Sequence, residues 1–273
     1  MKKTLWIFVT AMLLFAILTG CVEPPASTGS APSGTTPTVA PTQQPTVPTT
    51  QPTQPTQPPT TPPTEAPAPE VGTAAHYIQV IYAQQIQRYR TAIAQQWDKD
   101  TYSANGLSVL PLQYDQGQLP DNIGIGFVDL DQDDSWELIL GAVWNAEADP
   151  LVFEIWTLVD GAPKMVAQSD EENRYYLQYS PDDETWYVAL EVMHSETHYG
   201  VHYLLFQDAG FEVIQAIIYD AATNPTAPWF MSYDMDMDTT NDEDLDESTA
   251  TFMIDFNRKL YIAAEYTPYG LLP

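Results

Sequence analysis

Proline is spread so unevenly along these 273 residues that it divides the chain before any other feature is needed. Residues 22–70 hold 15 of the 24 prolines, with 13 threonines, three acids and no aromatic residue. A proline ring fixes φ and removes the backbone donor. Phrases such as Pro52-Thr53-Gln54-Pro55-Thr56-Gln57-Pro58 therefore build neither a helix nor a sheet core. The expectation is a hydrated, disordered tether that samples polyproline II, with an upper reach of about 150 Å at roughly 3.1 Å per residue. Its threonines are either solubilising filler or acceptors for O-linked sugar, and filler is the preferred reading.

The residues before the tether read as an address. Lys2 and Lys3 give a positive start, and the apolar run from Leu5 to Leu18 is too short for a comfortable membrane span. The run ends in Leu18-Thr19-Gly20-Cys21. This order resembles the bacterial lipoprotein signal, whose Leu-x-Gly-Cys box is cut before the cysteine. The resemblance implies that residues 1–20 are removed and that Cys21 carries a diacylglycerol thioether, usually with a further acyl chain on its amino terminus. Two or more chains make a durable anchor where one is marginal. The implied location is the outer face of a bacterial cell membrane, reached through the lipid on Cys21. Residues 21–70 then serve as anchor and linker. The same cysteine is the only one in the chain, which excludes a disulfide framework and a multi-cysteine metal site.

Residues 71–273 are left to fold, as a single extracellular domain. They contain 34 acids against 7 bases, within a formal net charge of -28 for the whole chain. So acidic a body repels phosphate backbones, which argues against a nucleic-acid partner. Ile78, Tyr82, Ile86, Tyr89, Ile93 and Trp97 recur at steps of three and four and predict a helix over residues 74–97. Residues 98–122, with Gly106, Pro111, Gly117 and Pro120, predict loop with a short strand near Leu107–Leu112. The period then switches to two. Candidate strands are 123–130, 137–143, 152–159, 163–168, 175–179, 186–194, 201–207, 211–219, 251–255 and 260–266. Turn signals such as Asp160-Gly161 and Asp208-Ala209-Gly210 lie between them. Connections this short leave no room for crossover helices. The predicted fold class is α+β: an N-terminal helix packed on a mainly antiparallel β-sheet meander.

One segment carries a chemical signal. In Asp129-Leu130-Asp131-Gln132-Asp133-Asp134-Ser135-Trp136-Glu137-Leu138, carboxylates stand at loop positions one, three, five and nine. The backbone carbonyl of Ser135, at position seven, would complete a cage of hard oxygen donors suited to Ca²⁺. Both flanks read as strands and position twelve is Leu140, so the segment is not an EF-hand. The competing reading is an acidic solvated turn.

The segment resembles the strand-flanked Asp-x-Asp-x-Asp-Gly-x-x-Glu-Leu calcium loop, related in pattern to FG-GAP and dockerin-type loops. More closely, residues 74–273 resemble a group of uncharacterised secreted or lipid-anchored proteins of Gram-positive, often gut, bacteria, in which a helix is followed by a Phe/Tyr-x-Asp-Ile-Asp-Gly-Asp-Gly-x-x-Glu-Leu loop and a tyrosine-rich antiparallel sheet. The stretches that carry this are Phe127 to Leu140, Phe153 to Gly161 and Arg174-Tyr175-Tyr176-Leu177. The resemblance implies Ca²⁺ ligation by Asp129, Asp131, Asp133 and Glu137, and it implies no enzymatic activity. Gln132 and Asp134 stand where the pattern has glycine, which lowers the expected affinity because position six often needs left-handed backbone.

Other acidic and imidazole groups compete for attention. Asp234, Asp236, Asp238 and Asp242 repeat the spacing within the run 234–247, which reads as a flexible solvated loop. His194, His198 and His202 are either polar residues of a hairpin or, with Glu196, a Zn²⁺ site in which His194 and His202 face each other across the turn. No Gly-x-Ser-x-Gly elbow or phosphate loop is present. The expectation is a calcium-stabilised binding or display module whose aromatic-rich sheet holds a glycan, a peptide or another envelope protein. The alternative is an extracellular hydrolase that uses a carboxylate pair.

Overall fold

The computed structural model describes residues 67–114, 116–143 and 150–272. The expected signal at residues 1–20, the lipidated Cys21 and the tether as far as residue 66 lie outside them. Thr73 opens the first element, its hydroxyl accepting from the His76 N–H at the start of α1 (Ala74–His76). A π-helical segment, Tyr77–Ile81, follows, with the Tyr82 N–H reaching back to the Tyr77 carbonyl at 2.8 Å. It leads into α2 (Ala83–Ala94), which buries Ile86, Tyr89 and Ala92. The helix stops short of Trp97. Gln96 takes left-handed backbone, φ +51°, and the N–H groups of Gln96 and Trp97 close onto the carbonyls of Ile93 and Ala92. That pairing is a Schellman stop with glutamine where glycine is usual.

Residues 98–122 depart from expectation. Asp98 caps α3 (Lys99–Ala104) by accepting from the Thr101 N–H at 2.9 Å. The expected strand near Leu107–Leu112 is absent: Pro111 sits inside a 3₁₀ turn, Leu110–Gln113, where its missing donor costs nothing. A second 3₁₀ turn (Gln116–Gln118) and α4 (Leu119–Asn122) lead into the sheet.

Twelve strands occur among the described residues: β1 (Ile123–Val128), β2 (Glu137–Ala142), β3 (Leu151–Val159), β4 (Ala162–Gln168), β5 (Asn173–Ser180), β6 (Thr185–Ser195), β7 (His198–Gln207), β8 (Gly210–Asp220), β9 (Trp229–Ser232), β10 (Glu243–Asp244), β11 (Tyr261–Ile262) and β12 (Thr267–Pro268). They pair antiparallel in one open sheet of order β10-β9-β8-β7-β6-β5-β3-β2-β1-β12. The sheet forks at β3, where Leu151 and Val152 pair with β5 while Glu154–Val159 pair with β4. The meander therefore holds, with β12 returning to the outer side of β1. Residues 251–255, expected as a strand, lie inside α5 (Glu247–Arg258). Asp246 caps that helix by accepting from the Thr249 N–H at 3.0 Å. The expected strand 260–266 shrinks to β11, while β9, β10 and β12 are additions.

Alternation within the strands gives the sheet two apolar faces. One lies under the helices: Tyr82 at the start of α2, Ile86 and Tyr89 within it, and Ala250 and Ile254 from α5 join Ile125, Leu140, Phe153, Tyr203 and Ile217. Buried Glu154 locks this layer by accepting from the Tyr89 hydroxyl, the Ser108 N–H, the Trp156 indole and the Gln168 amide. The other face gathers Val128, Ile139, Ile155, Leu177, Val188, Leu190, Leu204 and Phe206 beneath Ala264 and Tyr266. Tyr266 reaches the sheet because Gly124, Gly126 and Gly141 lie below it; a Cβ at Gly141 would overlap its hydroxyl. No helix among the described residues is long and apolar enough to cross a membrane.

Candidate metal centre

The loop of interest joins β1 to β2, and the register of those strands fixes both its ends. Val128 pairs with Glu137, so the first residue after β1, Asp129, stands beside the first residue of β2. Two left-handed positions, Gln132 at φ +60° and Asp134 at φ +67°, fold the intervening residues into a tight coil. These are the two places where the related pattern carries glycine, and the strain expected at Asp134 is therefore present.

Glu137 is the deepest group of the loop, 1 % exposed. Its Oε2 accepts from the Leu130 N–H at 2.8 Å and its Oε1 from the Thr157 hydroxyl at 2.8 Å. Burial pushes its carboxyl up to about 7, against the pull of those two hydrogen bonds. Asp129 accepts from the N–H groups of Asp133 and Asp134 at 3.1 and 3.2 Å. Asp131 is half-buried, and its Oδ1 is shielded from solvent without a hydrogen-bond partner. Desolvation first, then the charges of Asp133 and Asp129, raise its carboxyl.

Asp129, Asp131 and Glu137 each place one carboxylate oxygen within 4.8 Å of the others. No other such group of acids, histidines or cysteines occurs among the described residues. Asp133 is exposed and its Oδ1 is turned onto the Ser135 N–H at 2.7 Å, outside this trio. Of the four expected carboxylate ligands the structure gathers three, and the Asp133 Oδ1 takes the Ser135 N–H, a bond that leaves the Ser135 carbonyl unengaged by it. The trio is a cluster of hard oxygen donors able to chelate a cation. The orphaned Asp131 oxygen is the atom that gains most from one.

Aromatic side chains hold the loop's exit. Trp136 stacks on Tyr77 at 5.2 Å and on Phe127 at 6.1 Å. The Tyr82 hydroxyl donates to the Trp136 carbonyl at 2.9 Å. On the other side, the Gln132 amide donates to the Glu184 carbonyl at 2.8 Å, tying the loop to the β5–β6 turn. Sequence spacing located the carboxylates but not these supports, which come from positions more than forty residues away. The only local hint was the aromatic pair Phe127 and Trp136 bracketing the acids.

The remaining candidates separate. His198 pairs with Ser195 at the hairpin end, and His202 falls opposite Leu190, so His194 and His202 do not face each other. His194 instead meets His198 edge-on at 5.4 Å. The run 234–247 is a chain of local turns, in which the N–H groups of Asp236, Asp238 and Thr240 bond to Asp234, Asp236 and Asp238 respectively. Two surface depressions, of about 540 Å³ on the outer side of α5 and about 430 Å³ between β5–β6 and residues 235–237, do not border the carboxylate trio. No protein-family model, curated protein or solved structure matches this chain.

Proposed function

We propose that this chain is a lipid-anchored, extracellular binding or display module whose β1–β2 loop holds Ca²⁺. The observation that carries the cation is the convergence of Asp129, Asp131 and Glu137 within 4.8 Å around an unpartnered Asp131 oxygen. Hard carboxylate oxygens in an eight-residue connection suit Ca²⁺, which tolerates irregular shells, better than Mg²⁺, which demands a tight octahedron. A bound ion offsets the mutual repulsion of the trio and pins the β1–β2 connection. Its role is structural: Glu137 is buried and both its oxygens already accept internal hydrogen bonds.

The near-neutral carboxyl of Glu137 is the one observation that favours a hydrolase, since general acids need such values. Its burial speaks against it, because a proton donor must touch the substrate.

Calorimetric titration of the full chain with Ca²⁺, repeated with Mg²⁺ at fixed ionic strength, tests the cation. Saturable Ca²⁺ binding that weakens in Asp131→Asn is expected. Silence up to about 10 mM, above the weak extracellular range, would return the loop to a solvated acidic turn. The anchor is tested separately: Cys21→Ala should move the protein out of the membrane fraction. Unchanged detergent partitioning would remove the lipid from the proposal.

A further inference from the structure

The segment after β9 crosses back over the sheet face that the helices leave uncovered, and two histidines of β7 lie beneath it. His198, Gly200 and His202 alternate along β7 and point to that face. The Met237 carbonyl accepts from His198 Nε2 at 3.0 Å. The Met237 side chain fits above Gly200, where a Cβ would come within 3.3 Å of it. His202 is fully buried, and neither ring nitrogen completes a hydrogen bond, although the ring lies against the Asp236 backbone. Beyond the crossing, the Thr239 hydroxyl donates to Asp220 Oδ2 at 3.1 Å. Residues 235–237 also wall the 430 Å³ groove that runs along Tyr175, Leu190 and Val192.

We propose that residues 233–239 form an acid-released strap, latched at neutral pH over the uncharged ring of His202 and let go when that ring takes a proton. An imidazolium sealed under the strap would carry a charge without water, with only the Asp236 backbone alongside to offset the loss. Opening gives it water. The direction follows from linkage. Burial lowers the proton affinity of His202 in the closed form, so the open form binds more protons. The latch is fully made above the ordinary histidine value of about 6.5 and is lost as pH falls below it.

Charged groups approach the ring from several elements. From the strap, the Asp236 backbone and then the charges of Asp234 and Asp236 attract the proton, but less strongly than burial repels it. From β7 and β8, His198 and Asp220 stand opposite each other and tie the strap at Met237 and Thr239, and the residue of β8 opposite His202 is uncharged Ala216. From β6 the residue opposite is uncharged Leu190. Asp242, whose carboxyl is raised by burial and by the charges of Asp234, Asp236 and Asp238, gains a proton early and relieves repulsion in the closed form, so it opposes release. Release uncovers the groove and the apolar face around Leu190 and Val192, which enlarges the surface open to a ligand.

Amide hydrogen exchange on the full chain, from pH 7.5 to 5.5 at fixed ionic strength and corrected for intrinsic rates, tests the strap. Protection at residues 233–239 should fall by up to tenfold per pH unit below about 6.5, while β5 and β6 stay protected. His202→Leu, which cannot be protonated, should abolish that fall; His194→Asn and Asp242→Asn should keep it. Should the leucine variant not fold, the ring signals of the unaltered chain decide: the opening midpoint must follow His202 rather than His194. Protection that is constant or rises on acidification, an acid response surviving in His202→Leu, or a midpoint that follows another group each overturns the proposal.

Discussion

Two acidic segments of this chain share one spacing and meet different fates. Asp129, Asp131, Asp133 and Glu137 repeat in Asp234, Asp236, Asp238 and Asp242, and each set connects neighbouring antiparallel strands. In the first, the ninth-position acid opens a six-residue strand buried along its whole length. Glu137 is thereby pulled inward, and Asp129 and Asp131 close over it. In the second, Asp242 precedes a two-residue strand with both members exposed. There Asp234, Asp236 and Asp238 are used up one at a time in bonds to the backbone two residues on, and Asp242, with one shielded oxygen unpartnered, gathers no trio around it. Spacing alone therefore proposes ligands. The depth of the strand that receives the last one decides whether they converge.

That contrast can be broken most forcefully at Glu137. Glu137→Ala leaves the Leu130 N–H and the Thr157 hydroxyl without their acceptor in a buried site. A loss of about 1–3 kcal/mol in denaturant unfolding is expected, together with cation binding. The matching change Asp242→Ala should cost far less and leave binding untouched. Equal losses at the two positions would mean that burial of the ninth residue is not what separates the loops.

A milder pair separates charge from packing. At ten times its dissociation constant a cation adds about 1.4 kcal/mol, or roughly 3–5 °C in melting temperature for a domain of this size. Asp131→Asn should erase most of that shift, whereas Asp244→Asn and Asp242→Asn should preserve it in calcium-dependent thermal scans. A shift erased equally by all three would reduce the effect to screening of a highly charged surface.

The pH dependence is set by Glu137. Its folded value lies above that of a free carboxyl, so the cation-free protein gains stability from its proton below the ordinary value and loses that gain as pH rises through about 7. A cation must displace the same proton. Affinity should climb by up to tenfold per unit as pH rises from 6 to 7 and level off above, and Glu137→Gln should flatten the curve in titrations at several pH values. A flat curve in the unaltered chain would place the ion elsewhere.

The smallest effect is expected at the left-handed positions. Asp134→Gly removes the Cβ conflict at φ +67° but loosens the unfolded chain. A net gain of a few tenths of a kcal/mol is expected, and a clear loss would mean that the Asp134 charge itself contributes.

Much of this architecture was legible where short-range chemistry governs. Continuous apolar runs such as Tyr187-Val188-Ala189-Leu190 between turn signals read as strands because both faces of the sheet are buried or half-buried there. Thr251-Phe252-Met253-Ile254-Asp255 misled because its β-branched and aromatic residues suit a strand. The helix is decided upstream by the Asp246 cap, and inward-facing Ala250 and Ile254 seal it against the sheet. Leu107–Leu112 misled likewise, since Pro111 favours a tight turn over a ladder. At the candidate site, the carboxylates were readable from spacing, but Thr157, Tyr77 and Tyr82 reach the loop only through tertiary packing. Asp133 looked like a ligand because spacing cannot tell an oxygen aimed inward from one bonded to the next turn.

The two ends of the strand path have a bearing on crowding. One is Glu243–Asp244, where adjacent negative charges line the outer border. The other is Thr267–Pro268, where the proline has no N–H to offer a neighbour. At these two ends only two residues are on offer, so an approaching copy finds few unpaired groups there and meets repulsion or a missing donor, whereas β4, paired only with β3, leaves a rim of seven residues. Both ends of the path are thus blunted against pairing with a second sheet, and the outer side of β4 is the longer rim at which a further strand could be added.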